Sequence, residues 1–548
     1  MSTTLAQIVA VRAGDDRPGL AFEDREWSWA EVVAAGAQRA AWLRDQVTRP
    51  ADRQVHVGLL ADNVPEFVFW VVACALEGAV LVGLNTSRSA SEVAADVAHA
   101  EVDVVLTESR WHHLAPTGPR VVDLDAAGYA EALVPYAGAA LPTARPDVDD
   151  IAFLLFSSGS TGTPKAVVVG QGRMARLAPV LTERIALRAD ETTYLCMPLF
   201  HGNALMMNLV PAVVVGARVG LARRFSASGF GPDVHRFGAA YVNYVGRALS
   251  YVLASPTDPR DASSTLRLAF GTEASEADAE RFARRFGAEV REGYGMSEGV
   301  FRINRTPETP PGSLGLPPDG VDLRILDEAT GAECPRAEFD GHGRLTNPEA
   351  VGQFVAVGAA ASFEGYWKNP GATAERVRGE DFWSGDLGYR DADGWFWFAG
   401  RSSDWLRVDS ENFAAAQVER ILTRHPQVAA APVVAVPDPA TGDQVLAALE
   451  LHPGTDPEEF AAGWGAWLDA QPDLGAKWWP RFVRLVEAVP LTGSGKVDKQ
   501  PLRRTQWAGE EPVLLREGRT AGYRWLLEED RDRMRAEFAA HGRAALAP

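Results

Sequence analysis

Two lysines sit in glycine-rich loops of a chain that otherwise draws nearly all its positive charge from arginine. Only five lysines occur (Lys165, Lys368, Lys477, Lys496 and Lys499); Lys165 ends the run FSSGSTGTPK and Lys496 lies within PLTGSGKVDK. A lysine offers a compact, mobile ammonium that the planar guanidinium fork does not. In the first run Ser157, Ser158, Ser160, Thr161 and Thr163 supply hydroxyl donors, while Gly159 and Gly162 let successive backbone N–H groups turn toward one point. Such a loop suits a polyphosphate. It is not a Walker A loop, because Lys165 follows Pro164 and is not followed by Ser or Thr at a helix start. A Gly/Ser linker has a similar composition, but this loop is clasped between two apolar runs, Ile151–Phe156 and Ala166–Val169, that read as buried strands.

Other chemistry-bearing residues fall where apolar runs end. The run Thr192–Met197 leads into PLFHGN, so His201 leaves a strand end, where ligands of open α/β sheets lie; a structural histidine fits this placement equally. LAFGTE ends in Gly271, Thr272 and Glu273, and EGYGMSE places Tyr294, Gly295, Ser297 and Glu298 after another strand. An aromatic face suits a purine and a carboxylate beside phosphates suits Mg²⁺, although a turn with a capping Ser and Glu has the same look. Asp386 in SGDLG and Arg401 after Gly400 could grip a vicinal diol such as ribose, or be a turn residue and a salt-bridge partner.

The elements that must position these groups alternate. His56–Leu60, Val80–Leu84 and Val102–Thr107 read as strands, separated by a buried helix that ends at Gly78, with Asn63 as its N-cap, and by a helix opened by the Ser89–Glu92 capping box. Residues 116–150 read as a connection, a helix starts near Gly172, and Ala204–Val215 reads as an apolar helix. Strands alternating with amphipathic helices define an α/β fold with mostly parallel sheets. A small β region begins at Val321 and ends in a hairpin turned at Asp393-Gly394. Beyond it Ala415–Leu422 and Pro457–Leu468 read as helices, Val428–Val436 and Val445–Leu451 as strands, and Arg524–Ala545 as a charged helix. These patterns predict a large N-terminal α/β domain, 1–401, of stacked mostly parallel sheets plus the small β region. A smaller α+β domain, 402–548, follows it.

Composition narrows the function. The 548 residues carry 54 Lys+Arg against 73 Asp+Glu, a net charge of −19, which argues against nucleic acid as a partner. Cys74, Cys196 and Cys334 are far apart and make neither a disulfide framework nor a zinc site, as suits a reducing cytoplasm. The N-terminus has no basic segment followed by an apolar core, so no signal peptide is expected. The acidic C-terminal helix argues for at most peripheral membrane contact.

Taken together and in this order, the segments resemble the acyl-adenylate-forming superfamily of acyl-CoA synthetases, luciferases and peptide-synthetase adenylation domains. EGYGMSEG, GRSSDWLRVDSENFAAAQVERIL and the C-terminal tail look most like bacterial long- and very-long-chain fatty acyl-CoA synthetases related to fatty-acid transport proteins. The resemblance implies an ATP-dependent, AMP-forming acid–thiol ligase working through an acyl-AMP intermediate with Mg²⁺ and coenzyme A. It implies that Lys496 bridges the substrate carboxylate and the α-phosphate and that Glu298 helps hold Mg²⁺. The phosphates fall to Ser157, Ser158, Gly159, Ser160, Thr161, Gly162 and Lys165. Tyr294 would pack on adenine beside Gly271, Thr272, Glu273 and Gly295, and Asp386 and Arg401 would hold the ribose. The family rotates its C-terminal domain about a hinge, here Ser403, so that the loop with Arg407, Ser410 and Glu411 replaces Lys496. Ser410 stands where many relatives have glycine beside the thiol passage, and Ser297 and Arg407 replace threonine and lysine.

Amino-acid-activating relatives carry an aspartate where this chain has His201, so no substrate amine is expected. The resemblance points to a medium- to long-chain fatty or lipid-like carboxylic acid, sterol side chains included, in a pocket lined by His201, Asn203, Met207, Tyr244, Gly246 and Phe270, with Gly246 leaving room for the chain. Two alternatives stay open: a ligase that loads a carrier-protein thiol, and a lipid-uptake protein without chemistry. A homodimer is compatible with all of them.

Overall fold

The computed structural model describes residues 3–143, 145–157, 165–274, 276–306, 308–340, 345–401, 405–408, 411–440, 442–475, 477–493, 495–516, 518 and 522–548. The phosphate-loop residues 158–164, the hinge residue Ser403 and Ser410 thus lie outside the described residues, as do the side chains of Ser157, Arg401, Arg407 and Glu411. Two compact units emerge. The first comprises residues 1–303, 359–377 and 493–496, and the second 304–358, 378–492 and 497–548.

The first unit is the α/β body that the alternation of strands and helices requires. One sheet of six strands runs Arg120–Asp123, Val104–Thr107, His56–Leu60, Val80–Gly83, Ile151–Ser157 and Lys165–Gly170; only the last pair is antiparallel. The second sheet places Glu289–Gly295, Leu268–Thr272, Ala239–Val245, Thr192–Leu195, Arg218–Leu221 and Pro18–Phe22 side by side and parallel. Central strands buried on both faces explain the unbroken apolar runs, such as His56–Leu60 with every residue buried. Helix Pro65–Glu77 is buried from Phe67 to Leu76 and stops at left-handed Gly78 (φ 73°), and Ser89 and Glu92 form their reciprocal cap.

Three local expectations are corrected. Asn63 does not cap its helix: Val64 holds that position, and the Asn63 amide instead donates to Met197 O at 2.9 Å and accepts from Leu199 N at 2.8 Å, pinning the strand exit that leads to His201. The connection 116–150 contributes the edge strand Arg120–Asp123 and helix Ala127–Leu133, elements too short to show a period. The apolar helix runs from Gly202 to Val215 and contains a π-turn, Leu205–Leu209.

In the second unit an antiparallel sheet pairs Leu323–Leu326 with Gly352–Ala356, that strand with Asp381–Arg390, and that one with Phe396–Arg401. A mixed sheet is built on Asp443–Leu451, parallel to Phe482–Val486 and antiparallel to its other partners. Val428–Val436 is two strands, Val428–Ala430 and Val433–Pro437, because Pro432 has no N–H to continue the ladder. The C-terminal segment is an edge strand, Tyr523–Trp525, before a helix confined to Glu528–Ala540. These units divide the chain differently from the segments 1–401 and 402–548, since Tyr389 and Ala399 share an apolar cluster with Ala414. Among the described residues no helix is long and apolar enough to cross a membrane, and all three cysteines are free.

Candidate active site

The exit of strand Leu268–Thr272 brings the second lysine loop into the first unit. Glu273, directly after that strand, holds a left-handed backbone (φ 74°) that few non-glycine residues adopt, and its Oε1 accepts a hydrogen bond from Lys496 Nζ at 2.7 Å. The loop reaches this position because Gly246 makes room. At Gly246 (φ +60°) a Cβ would lie 2.4 Å from Gly495 O and 3.5 Å from Lys496 Cα. The space expected to admit an acyl chain is thus filled here by the lysine loop's backbone.

His201 caps the start of helix Gly202–Val215, and its Nδ1 accepts from the Asn203 N–H at 3.2 Å. That bond leaves the proton of the neutral ring on Nε2. Burial, reinforced by the Lys496 ammonium and opposed by the Glu273 carboxylate, pulls the imidazole down to about 4. Near neutral pH His201 is therefore an uncharged hydrogen-bond donor beside a cation. Ser297 Oγ is 3.7 Å from where a Cβ on Gly202 would stand, so the Ser297–Glu298 turn borders the same helix start.

Glu298 is held by residues that carried no signal in the sequence. Tyr366 OH donates to Glu298 Oε1 at 2.6 Å, and burial together with that carboxylate pushes the phenol upward. Segment 365–367 lies along strand Lys165–Gly170 through Val168 N to Gly365 O and Trp367 N to Ala166 O, at 3.1 and 2.9 Å. Lys165 Nζ lies 5.8 Å from the Tyr366 ring centroid and 3.5 Å from Glu375. Buried Arg173 donates to Ser297 O at 3.0 Å, to Glu298 O and to Val168 O, and pairs with Glu364 at 3.6 Å. Glu364 in turn accepts from Gly170 N at 2.6 Å. Glu364 and Tyr366 precede a Pro-initiated helix and read as turn residues, and Arg173 is one arginine among many, so only the fold reveals this clamp.

The acyl-side residues divide between two faces of one sheet. Asn243, Phe270 and Arg291 are neighbours in register, as are Tyr244, Gly271 and Glu292. Adjacent residues of a strand point to opposite faces. Asn243 donates to Asn203 Oδ1 at 2.5 Å, and Tyr241 OH donates to Met207 O at 2.7 Å, so this face carries Asn203, Met207 and Phe270 together. Tyr244 lies on the other face with its hydroxyl bonded to Glu292, and does not share one wall with Phe270. The Tyr294 ring stacks on Phe301 at 5.9 Å.

Asp386 and Arg401 belong to the second unit, where they are register partners on neighbouring strands. The predicted acceptor loop is a hairpin, Trp405–Val408 against Glu411–Ala414, with Arg407 opposite Asn412. Among the described residues no cluster of three metal-ligating side chains occurs.

Two mostly parallel sheets that gather a glycine-loop lysine, a neutral histidine and a tyrosine-held glutamate suit an enzyme that activates carboxylates with ATP. The chain belongs to the AMP-binding enzyme family: that family's model matches residues 7–367, and the AMP-binding enzyme C-terminal domain matches 417–496. It is an AMP-forming acid–thiol ligase. It is 44% identical to the steroid-22-oyl-CoA synthetase of Rhodococcus jostii (strain RHA1), over 99% of this chain and 98% of that one. It is 41% identical to the medium/long-chain-fatty-acid–CoA ligase FadD17 of Mycobacterium tuberculosis, over 91% and 95%. The anthranilate CoA ligase AuaEII, solved with anthranoyl-AMP, shares the fold at a TM-score of 0.80 and 24% identity, over 92% of this chain and 97% of that one.

Proposed function

We propose that this ligase activates a medium- to long-chain fatty acid or a sterol side-chain acid and transfers the acyl group to coenzyme A. The observation that carries the reading is the pairing of Lys496 with Glu273 beside neutral His201, next to a face bearing Met207 and Phe270. The names of the two curated relatives, one a steroid-acyl and the other a fatty-acid CoA ligase, support the choice of acid.

Attack of a carboxylate on the α-phosphate of ATP brings two anions together, so positive charge must stand where the new bond forms. Lys496 provides it by exchanging Glu273 for the reacting oxygens. Its pair is weak enough to leave, since the two side chains are 34% and 47% exposed. Neutral His201 directs Nε2–H toward the acid without adding a second cation that would compete with Lys496. Tyr366 fixes one oxygen of Glu298 and leaves the other for a cation, which fits Mg²⁺ held by one protein carboxylate and by nucleotide phosphates. That ion, when bound, would neutralise phosphate charge. Arg173 and Glu364 keep the Ser297–Glu298 turn in place against strand Lys165–Gly170.

The large and small domains 1–401 and 402–548, with the hinge at Ser403 and the hairpin of Arg407 and Glu411 serving the thiol step, complete this reading, as does a cytoplasmic location for three free cysteines. Pyrophosphate release from MgATP across acids from acetate to long fatty, sterol side-chain and benzoic acids, with and without coenzyme A, tests it. Release that needs a lipid-like acid, yields thioester, and vanishes in Lys496→Ala is expected. Release without thioester would contradict coenzyme A as acceptor, and a preference for benzoates would contradict the acid.

A further inference from the structure

We propose that Arg184 and Arg302 form a distal recognition site that selects acids bearing a carbonyl or carboxylate oxygen remote from the carboxyl group being activated. The inference rests on the acid-activating reading above and adds the substrate's second polar group.

The Arg184 guanidinium lies over the Phe270 ring, 4.5 Å from its centroid, and a Cβ on Gly293 would stand 2.3 Å from Arg184 Nη2. The missing side chain at Gly293 is what admits the cation. Gly293 is two residues beyond Arg291, the register partner of Phe270, so the guanidinium joins the sheet face that carries Asn243, Asn203 and Met207. Along the strand, Phe270 precedes Glu273, the partner of Lys496, by three residues, or roughly 10 Å at about 3.3 Å per residue. On this proposal an acyl group that runs from Lys496 along this face meets the guanidinium with its far part, and a short acid does not reach it.

Nothing described in the protein neutralises this cation. The guanidinium of Arg184 has one hydrogen bond among the described residues, a 3.5 Å contact to Ile303 O; its charged neighbours are Arg302 and Arg291, the latter donating to the Arg184 backbone carbonyl at 2.8 Å. Arg291 is paired with Glu289 at 2.8 Å, whereas Arg302 has no ion pair among the described residues and a buried Nε without a partner. Three other shielded arginines of this acidic chain are matched: Arg39 with Glu66, Arg285 with Asp261 at 2.8 Å, and Arg484 with Glu511 at 2.5 Å. Burial and the two like charges pull Arg184 down to about 10, the electrostatic strain that an oxygen acceptor would relieve. Guanidinium groups present fixed N–H forks and no acceptor, so the complementary ligand atom is a carbonyl or carboxylate oxygen.

The test compares kcat/KM for dodecanoate, oxo acids with the ketone moved along the same chain, and dodecanedioate. Wild-type protein is expected to favour the best oxo acid or the diacid by roughly tenfold or more over dodecanoate, the worth of a hydrogen bond to a charged group. Arg184→Met and, separately, Arg302→Met should reduce that ratio toward one, and Arg184→Lys should restore part of it. Preference for the diacid alone identifies a carboxylate, and preference for one ketone position identifies a carbonyl. Wild-type protein that adenylates dodecanoate but shows no preference, or a preference that survives both Met variants, overturns the site while leaving the ligase reading intact. Silence with every acid overturns both. Far-UV circular dichroism identifies a variant that fails to fold, in which case the other Met variant decides.

Discussion

Replacing Gly246 with Ala separates the two half-reactions. Its Cβ would stand 2.4 Å from Gly495 O, under the 3.0 Å that real Cβ atoms keep, and the contact is with backbone, so the lysine loop must retreat by more than half an ångström. The left-handed φ of +60° adds about 1–2 kcal/mol of strain for a residue with a Cβ. Misplacing a reacting group by about 1 Å can cost roughly a hundredfold in rate. Acyl-AMP formation, read as pyrophosphate release, is expected to fall between about ten- and a hundredfold for every acid. Thioester formation from supplied acyl-AMP should fall less than about threefold, because the proposed mechanism uses Lys496 in the first step alone. The double variant Gly246→Ala/Lys496→Ala should adenylate no more slowly than Lys496→Ala alone, since both changes act through one ammonium. Equal losses in the two half-reactions would refute the argument. A changed chain-length preference with an unchanged rate for the best acid would show that Gly246 makes room for substrate and not for the loop.

His201 is expected to stay neutral down to about pH 5, read from its imidazole C2–H resonance; an inflection near 6.5 would contradict its burial beside Lys496. Because the folded ring titrates at about 4 and the free imidazole at 6.5, the unfolded chain alone takes up this proton between those values. The contribution of His201 to stability is therefore whole above pH 6.5 and lost progressively as pH falls toward 4, which urea titrations of the wild type and His201→Asn should reproduce. Tyr366→Phe removes the 2.6 Å bond to Glu298, and the KM for MgATP should rise roughly tenfold with little change in the KM for the acid; an unchanged KM for MgATP would remove Tyr366 from the site. In a series of saturated acids, kcat/KM should climb roughly fourfold per methylene, at ~0.8 kcal/mol each, until the chain meets Arg184; a flat series would exclude apolar burial as the source of selectivity.

What the sequence disclosed and what it withheld follow from the range of the forces involved. Backbone elements were legible wherever a local rule decides them: Gly78 ends a helix because a left-handed turn needs no Cβ, and Ser89 with Glu92 cap their helix through atoms three residues apart. The Lys496 loop stood out because glycine and lysine together are rare in an arginine-rich chain, and it meets Glu273. Contacts across long sequence separations were not. Asn63 has the composition of a helix cap and works as a staple on Met197 and Leu199; Tyr366 and Arg173 reach Glu298 from opposite directions in the chain. Tyr244 looked like a neighbour of Phe270, but a side-chain period of two sends them to opposite faces once the register is known. The same long-range assembly bears on specificity. The groups we assign to adenylation lie near strand exits, whereas the guanidinium of Arg184, from the end of helix Gln171–Arg184, lies over Phe270 on the face we propose selects the acid. On that proposal, substitutions at 184, 270 and 293 should change the preferred acid while leaving Lys496, Glu273 and Glu298 where they are.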